Sequence, residues 1–275
     1  MKTIKKKNNN NILEWLPFKE VWNNYCYLED DSIVGAIKVN CLNLHLMYEE
    51  EKTAKVEQFK KVLLSMDYPI KILSIDNPID LSNNIESLKS NIKLEKDINK
   101  KQLLDEDINF VEDVFNRNFI FNRDFYIIIG STVEEEILLK QKINDIILEL
   151  NSIGLNSKMI NSEEWRSLLY ALLNPINSLD VFNKTLNSIN TSFKEKVAPV
   201  GLKFNERDIS MGDTYASIVT VNTYPSLVSS AWLSQVSNIN NTRMSISISP
   251  KDSIEVSKSL KKSMSETKVK MMNVS

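Results

Sequence analysis

GDTYASIVTVNTYPSLVSSAWLSQVSNINNTRMSISISP, Gly212 to Pro250, reads as strand, turn, short helix and strand. From Tyr215 to Val221 the chain alternates, with Ala216, Ile218 and Thr220 on one side and Tyr215, Ser217, Val219 and Val221 on the other. Pro225 ends that run, because proline has no N–H for a ladder and holds Tyr224 extended. Leu227, Trp232, Leu233 and Val236 then recur at helical spacing. Met244, Ile246 and Ile248 alternate with serines, which makes a second strand with one apolar face.

An earlier stretch repeats that order. IVGAIKVN (33–40), a helix and YPIKILSI (68–75) run parallel in plan to YASIVTVN (215–222), a helix and TRMSISISP (242–250). The echo predicts an α+β protein of two ferredoxin-like strand–helix–strand modules with added helices. Residues 1–11, MKTIKKKNNNN, read as a disordered tail. Residues 12–192 form the first module with a long helical insertion, and 193–275 the second, smaller one. The Asn- and Ser-rich stretch 176–195 marks the boundary.

Within the first module, Tyr25–Leu28 and Ile33–Val39 read as a hairpin turning on Glu29, Asp30, Asp31 and Ser32. Glu49 to Met66 is an amphipathic helix with Val56, Phe59, Val62 and Leu63 inward. Apolar residues from Ile85 to Phe115 predict one or two helices over 82–116, either an arm or helices laid on the sheet, with the sheet favoured. FIFNRDFYIII (119–129) is a strand, central because its second half is apolar throughout. Ser131 to Ile153 is a helix capped by Ser131 or Thr132 and ended by Gly154. Leu155 to Ile160 is a short strand. Ser162 caps a further helix that Asn174-Pro175 stops. A Lys-rich helix follows from Lys251.

Composition excludes more than it selects. The chain is 42% hydrophobic and 25% charged with a formal net charge of −2, so no global field draws it to nucleic acid. A P-loop needs a glycine directly before a lysine, and none of the five glycines precedes one. His45 is the only histidine, in LNLHLM on an alternating strand or strand exit, and reads as a hydrogen-bonded or half-exposed residue rather than a catalytic base. Cys26 and Cys41 make neither a metal spacing nor a disulfide framework and read as small apolar residues in adjacent strands. Glu29-Asp30-Asp31 and Asp105-Glu106-Asp107 read as solvated runs. Asp76, after the apolar KILSI, reads as a strand-end turn residue. No catalytic, cofactor-binding or metal residue is assigned.

One patch points to binding. Trp15, Leu16, Pro17, Phe18 and Trp22 put two tryptophans and a phenylalanine around a proline. They either pack on the module or anchor a partner or a membrane interface. The outer face of the 82–116 helices is the other candidate contact.

The ordered series YLEDDSIVGAIKV, YPIKILSI, FNRDFYIIIG, EEWRSLLYALLNP and GDTYASIVTVNTYP…MSISISP resembles the N-terminal region of the conjugative-transfer ATPases of type IV secretion systems, the TraC-like, VirB-type group, most of all its Gram-positive branch. The resemblance implies a non-catalytic docking and assembly domain. It implies binding to channel subunits, and to further copies of itself, at the cytoplasmic face of the membrane. ATP would belong to a P-loop domain that these residues do not include, so the resemblance carries over no ATP-binding residue. It leaves open a subunit of a split ATPase working with a separate P-loop polypeptide, and a freestanding structural adaptor unrelated to conjugation.

Overall fold

The computed structural model describes residues 12–78, 82–117, 121–174, 192–199, 201–211, 214–221, 233, 239–251 and 257. The tail 1–11, the helix expected near Leu227 to Val236 (Leu233 apart) and the Lys-rich helix after Lys251 (Ser257 apart) lie outside them. The α+β class holds. The strands are β1 (Phe18–Trp22), β2 (Tyr25–Leu28), β3 (Ser32–Val39), β4 (Ile70–Pro78), β5 (Phe121–Thr132), β6 (Ser157–Met159), β7 (Leu202–Phe204), β8 (Ile209–Met211), β9 (Thr214–Ala216) and β10 (Arg243–Ile248). The helices are α1 (Glu49–Ser65), α2 (Ser82–Leu94), α3 (Ile98–Arg117), α4 (Glu136–Ser152), α5 (Ser162–Leu173) and α6 (Phe193–Val197), with 3-10 turns at Ile12–Glu14, Leu44–Leu46 and Val133–Glu135.

The main sheet runs β1-β2-β3-β5-β4-β10, with β6 also on β3. β3 pairs with β5 along its whole length, while β2 takes the first half of its other edge and β6 the second. β3–α1–β4 and β5–α4–β6 are therefore two interleaved strand–helix–strand units with spatial order β6-β3-β5-β4. This is the ferredoxin-like arrangement expected for the first module.

Alternation along the central strands sends side chains to two cores. Ile33 and Ile37 of β3, Ile70 of β4 and Ile127 and Ile129 of β5 meet Leu139, Ile143, Ile146 and Leu150 of α4, with Val62 of α1 beside them. Ala36, Leu73, Ile75 and Tyr126, on the opposite face, meet Trp165, Leu168 and Ala171 of α5, Val197 of α6, and Leu16 and Phe18. The spacing 139, 143, 146, 150 puts all four α4 residues on one stripe. Each such buried side chain contributes about 1.5–3 kcal/mol. α1 is the weaker partner: Val62 is buried, Phe59 and Leu63 are half-buried, and Val56, expected inward, is exposed.

Several expectations change. The cap of α5 is Asn161 rather than Ser162: its side chain accepts from the N–H groups of Glu163 and Glu164, and Glu164 closes the box on the Asn161 N–H. α2 and α3 form a hairpin that packs mainly on itself rather than on the sheet. Of the two places open to His45, the structure takes the strand exit, in the 3-10 turn after β3, and Cys41 lies beyond the end of β3 rather than in a strand. Tyr215 and Ala216 belong to a small β7-β8-β9 meander, while Ser217 to Val221 are irregular and exposed.

The larger change concerns the second module. Among the described residues β10 does not pair within 193–275. It lies antiparallel on β4, from Arg243 opposite Ile75 to Ile248 opposite Ile70. α6 packs on α5 and β1, and Val197 is fully buried in the core of residues 12–192. Residues on both sides of the expected boundary at 192/193 thus share one sheet and one core. The physical reason is edge pairing: β4 is hydrogen-bonded to β5 on one side only, and an alternating strand satisfies the other.

Asp76 fastens that strand. It is 2% exposed, within β4 rather than at a strand-end turn. Arg123 Nε donates to its Oδ1 at 2.6 Å and Nη2 to Oδ2 at 2.9 Å, and the Thr242 N–H donates to Oδ2 at 3.1 Å. On the other face, Arg243 donates to the Ala171 carbonyl at 2.6 Å, in the last turn of α5. Burial alone would raise the Asp76 carboxyl, but the Arg123 fork and the Thr242 amide outweigh it and hold it below the usual carboxylate value.

Two outcomes follow. A lowered folded-state value means that the Asp76 contribution is complete above the ordinary carboxylate range, near pH ~4, and is lost as pH falls below it. Asp76→Asn removes that part of the acid dependence in urea titrations, and Asp76→Ala costs about 2–3 kcal/mol, discounted because Arg123 is one-third exposed. At Gly35 an added Cβ would overlap Ile143 Cδ1 and touch Tyr25. Gly35→Val therefore destabilises by about 1–3 kcal/mol in the same assay, and Gly35→Ala by less, since the Ile143 tip can turn away.

Candidate functional site

Three polar residues of the central strands converge on one place. Lys38 of β3, Asn77 of β4 and Asp124 of β5 point to the face covered by α5, beyond the end of its apolar core. With Tyr126, and with Glu163, Glu164 and Arg166 of α5, they line a polar cleft of about 690 Å³. Lys38 Nζ lies 2.9 Å from Asp124 Oδ1, and Asn77 Nδ2 donates to Asp124 Oδ2 at 2.8 Å. The Lys38 ammonium is also 5.9 Å from the centre of the Tyr126 ring. Burial, and then the neighbouring Asp124 charge, push the Tyr126 phenol above its usual range.

Glu164 is held by Lys158 at 2.6 Å and by its capping bond. Partial burial opposes its ionisation, but Lys158 and the Asn161 N–H prevail and keep the carboxyl below its usual value. Arg166 stacks its guanidinium 5.6 Å from the centre of the Phe193 ring. Arg166 Nε and Asn77 Oδ1 are buried without hydrogen-bond partners among the described residues, so the cleft offers one donor and one acceptor to a polar group. Lys38–Asp124 and Lys158–Glu164 are ion pairs, which suits binding better than proton transfer.

A second pocket, about 270 Å³ and nearly all apolar, lies on the other face between Phe59 of α1, Leu44, Ile72 and Phe125. Among the described residues no group of three histidines, cysteines or carboxylates could hold a metal ion. No described helix is long and apolar enough to cross a membrane. Cys26 is buried, which pushes its thiol up to about 12 and leaves it unreactive near neutrality.

The N-terminal patch divides. Leu16 and Phe18 are core residues, 6% and 3% exposed, and offer no surface to a partner. Trp15 and Trp22 are 59% and 69% exposed, and Pro17 is exposed with them. Trp15 leans on Phe204 of the small meander, with ring centres 6.0 Å apart, and Trp22 ends the edge strand β1. The patch is thus a buried anchor with an exposed aromatic rim. Sequence reasoning passed over Lys38, Asp124 and Arg166. The available signal was a charge interrupting an apolar strand, in GAIKVN and in NRDFYIII.

No curated protein matches the sequence. Residues 19–175, from β1 through α5, match the family described as the archaeal TraC-like domain, where the sequence alone pointed to a Gram-positive branch. That match takes in β1 to β6, the α2–α3 arm and the polar cleft apart from Lys196, and it covers more than half of the 275 residues, so the chain belongs to the TraC-like family.

Proposed function

We propose that this chain is a docking and assembly domain of a conjugative-transfer ATPase, binding subunits of a type IV secretion channel at the cytoplasmic face of the membrane. Its membership of the TraC-like family carries the reading. The absence of any glycine–lysine pair from these 275 residues supports a binding role over nucleotide hydrolysis. The exposed Trp15, Pro17 and Trp22 rim is the contact surface: large aromatics held rigidly by buried neighbours contribute most to association per residue.

Co-expression with the membrane subunits of its own channel tests this. The wild-type chain co-purifies with them, and Trp15→Ala/Trp22→Ala lowers the affinity about tenfold or more while leaving the unfolding midpoint unchanged. Undiminished co-purification of the double variant overturns the surface, and failure of the wild type to co-purify overturns the docking role. ATP turnover by the isolated chain contradicts the non-catalytic reading. Turnover that appears only on mixing with a separate P-loop polypeptide identifies a split ATPase.

A further inference from the structure

The α2–α3 arm buries one face of α3 and leaves another bare. Ile108 is buried and Leu104 and Val111 are half-buried, which marks one side of α3, and α2 is its main neighbour. At ~100° per residue, Leu103 and Phe110 lie about a third of a turn away on a second face. They are 61% and 70% exposed. Asn99, Lys100, Glu106 and Asp107 share that face, and all are exposed.

The charges on this face are complementary to their own reverse. Lys100 precedes Leu103 by three residues and Asp107 follows it by four; Asn99 precedes by four and Glu106 follows by three. We propose that α3 is a self-association surface, on which a second copy of this chain lies antiparallel about a two-fold axis at Leu103. Leu103 then meets the partner's Leu103. Lys100 faces the partner's Asp107 and Asn99 faces the partner's Glu106, each displaced by only ~1.5 Å along the helix. Phe110 covers the aliphatic stem of the partner's Lys96, at the base of the other arm's loop. The alternative register, centred between Leu103 and Phe110, would set Glu106 and Asp107 against their own copies, and four clustered carboxylates repel. The charge pattern therefore selects one register.

The contact is isologous and carries two ion pairs, one per half. It is small, so the dimer dissociates on dilution and weakens as salt is raised. It needs no channel subunit, so its failure and the failure of the docking role are separate results.

Sedimentation velocity on the purified chain over a concentration series tests it. The wild type shifts from monomer to dimer. Lys100→Glu and Asp107→Lys each weaken the dimer about tenfold or more, by setting like charges opposite each other, and the Lys100→Glu/Asp107→Lys exchange restores it. In a Cys41→Ser background, Leu103→Cys forms a disulfide-linked dimer on mild oxidation. Circular dichroism on each variant confirms that α3 persists. A chain that stays monomeric throughout, a dimer indifferent to the single reversals, or an exchange variant that fails to recover overturns the proposal.

Discussion

β5 is hydrogen-bonded on both edges, to β3 from Phe125 to Thr132 and to β4 from Phe121 to Ile129. Over Phe125 to Ile129 it has a partner on each side at once, so its side chains leave the sheet only through the two faces. Ile127 and Ile129 meet α4, while Tyr126 belongs to the core under α5. The two helical layers are held apart and oriented by this one strand. A one-residue slip of β5 would exchange its two sets and place Asp124 on the α4 side.

The polar cleft follows from that constraint. Lys38 and Asp124 occupy the α5 face because they share parity with Ala36 and Tyr126, and α5 brings Glu163, Glu164 and Arg166 to the cleft that they line. A charged pair at the margin of a core needs partners more than it supplies stability. Asn77, the Tyr126 ring and the start of α5 meet that need. The Asp76–Arg123 fork lies on the opposite face of the same strands. It ties β10 into the sheet, so residues far along the chain depend on the first module for their place.

The arm and the N-terminal rim are the surfaces that the core does not determine. Both keep large apolar side chains in water beside others that are buried: Leu103 and Phe110 beside Ile108, Trp15 and Trp22 beside Leu16 and Phe18. Scattered exposed apolar residues are ordinary, but here each set sits on a segment whose opposite side is fixed.

The hairpin of β2 and β3, the helical nature of α1, α4 and α5, the centrality of β5 and the lack of a P-loop are all read from local pattern. Period, caps and glycine placement act within a few residues, so for these elements the sequence by itself determined their type. It did not determine neighbours. The alternation of Met244, Ile246 and Ile248 says that a strand forms, but the free edge of β4 decides where it goes, and with it the fate of the expected second module. Asp76 looks like a turn residue until Arg123, from a strand 47 positions away, arrives opposite it. Only the tertiary structure settled these points, because edge satisfaction and burial of charge depend on residues that meet after the chain has folded.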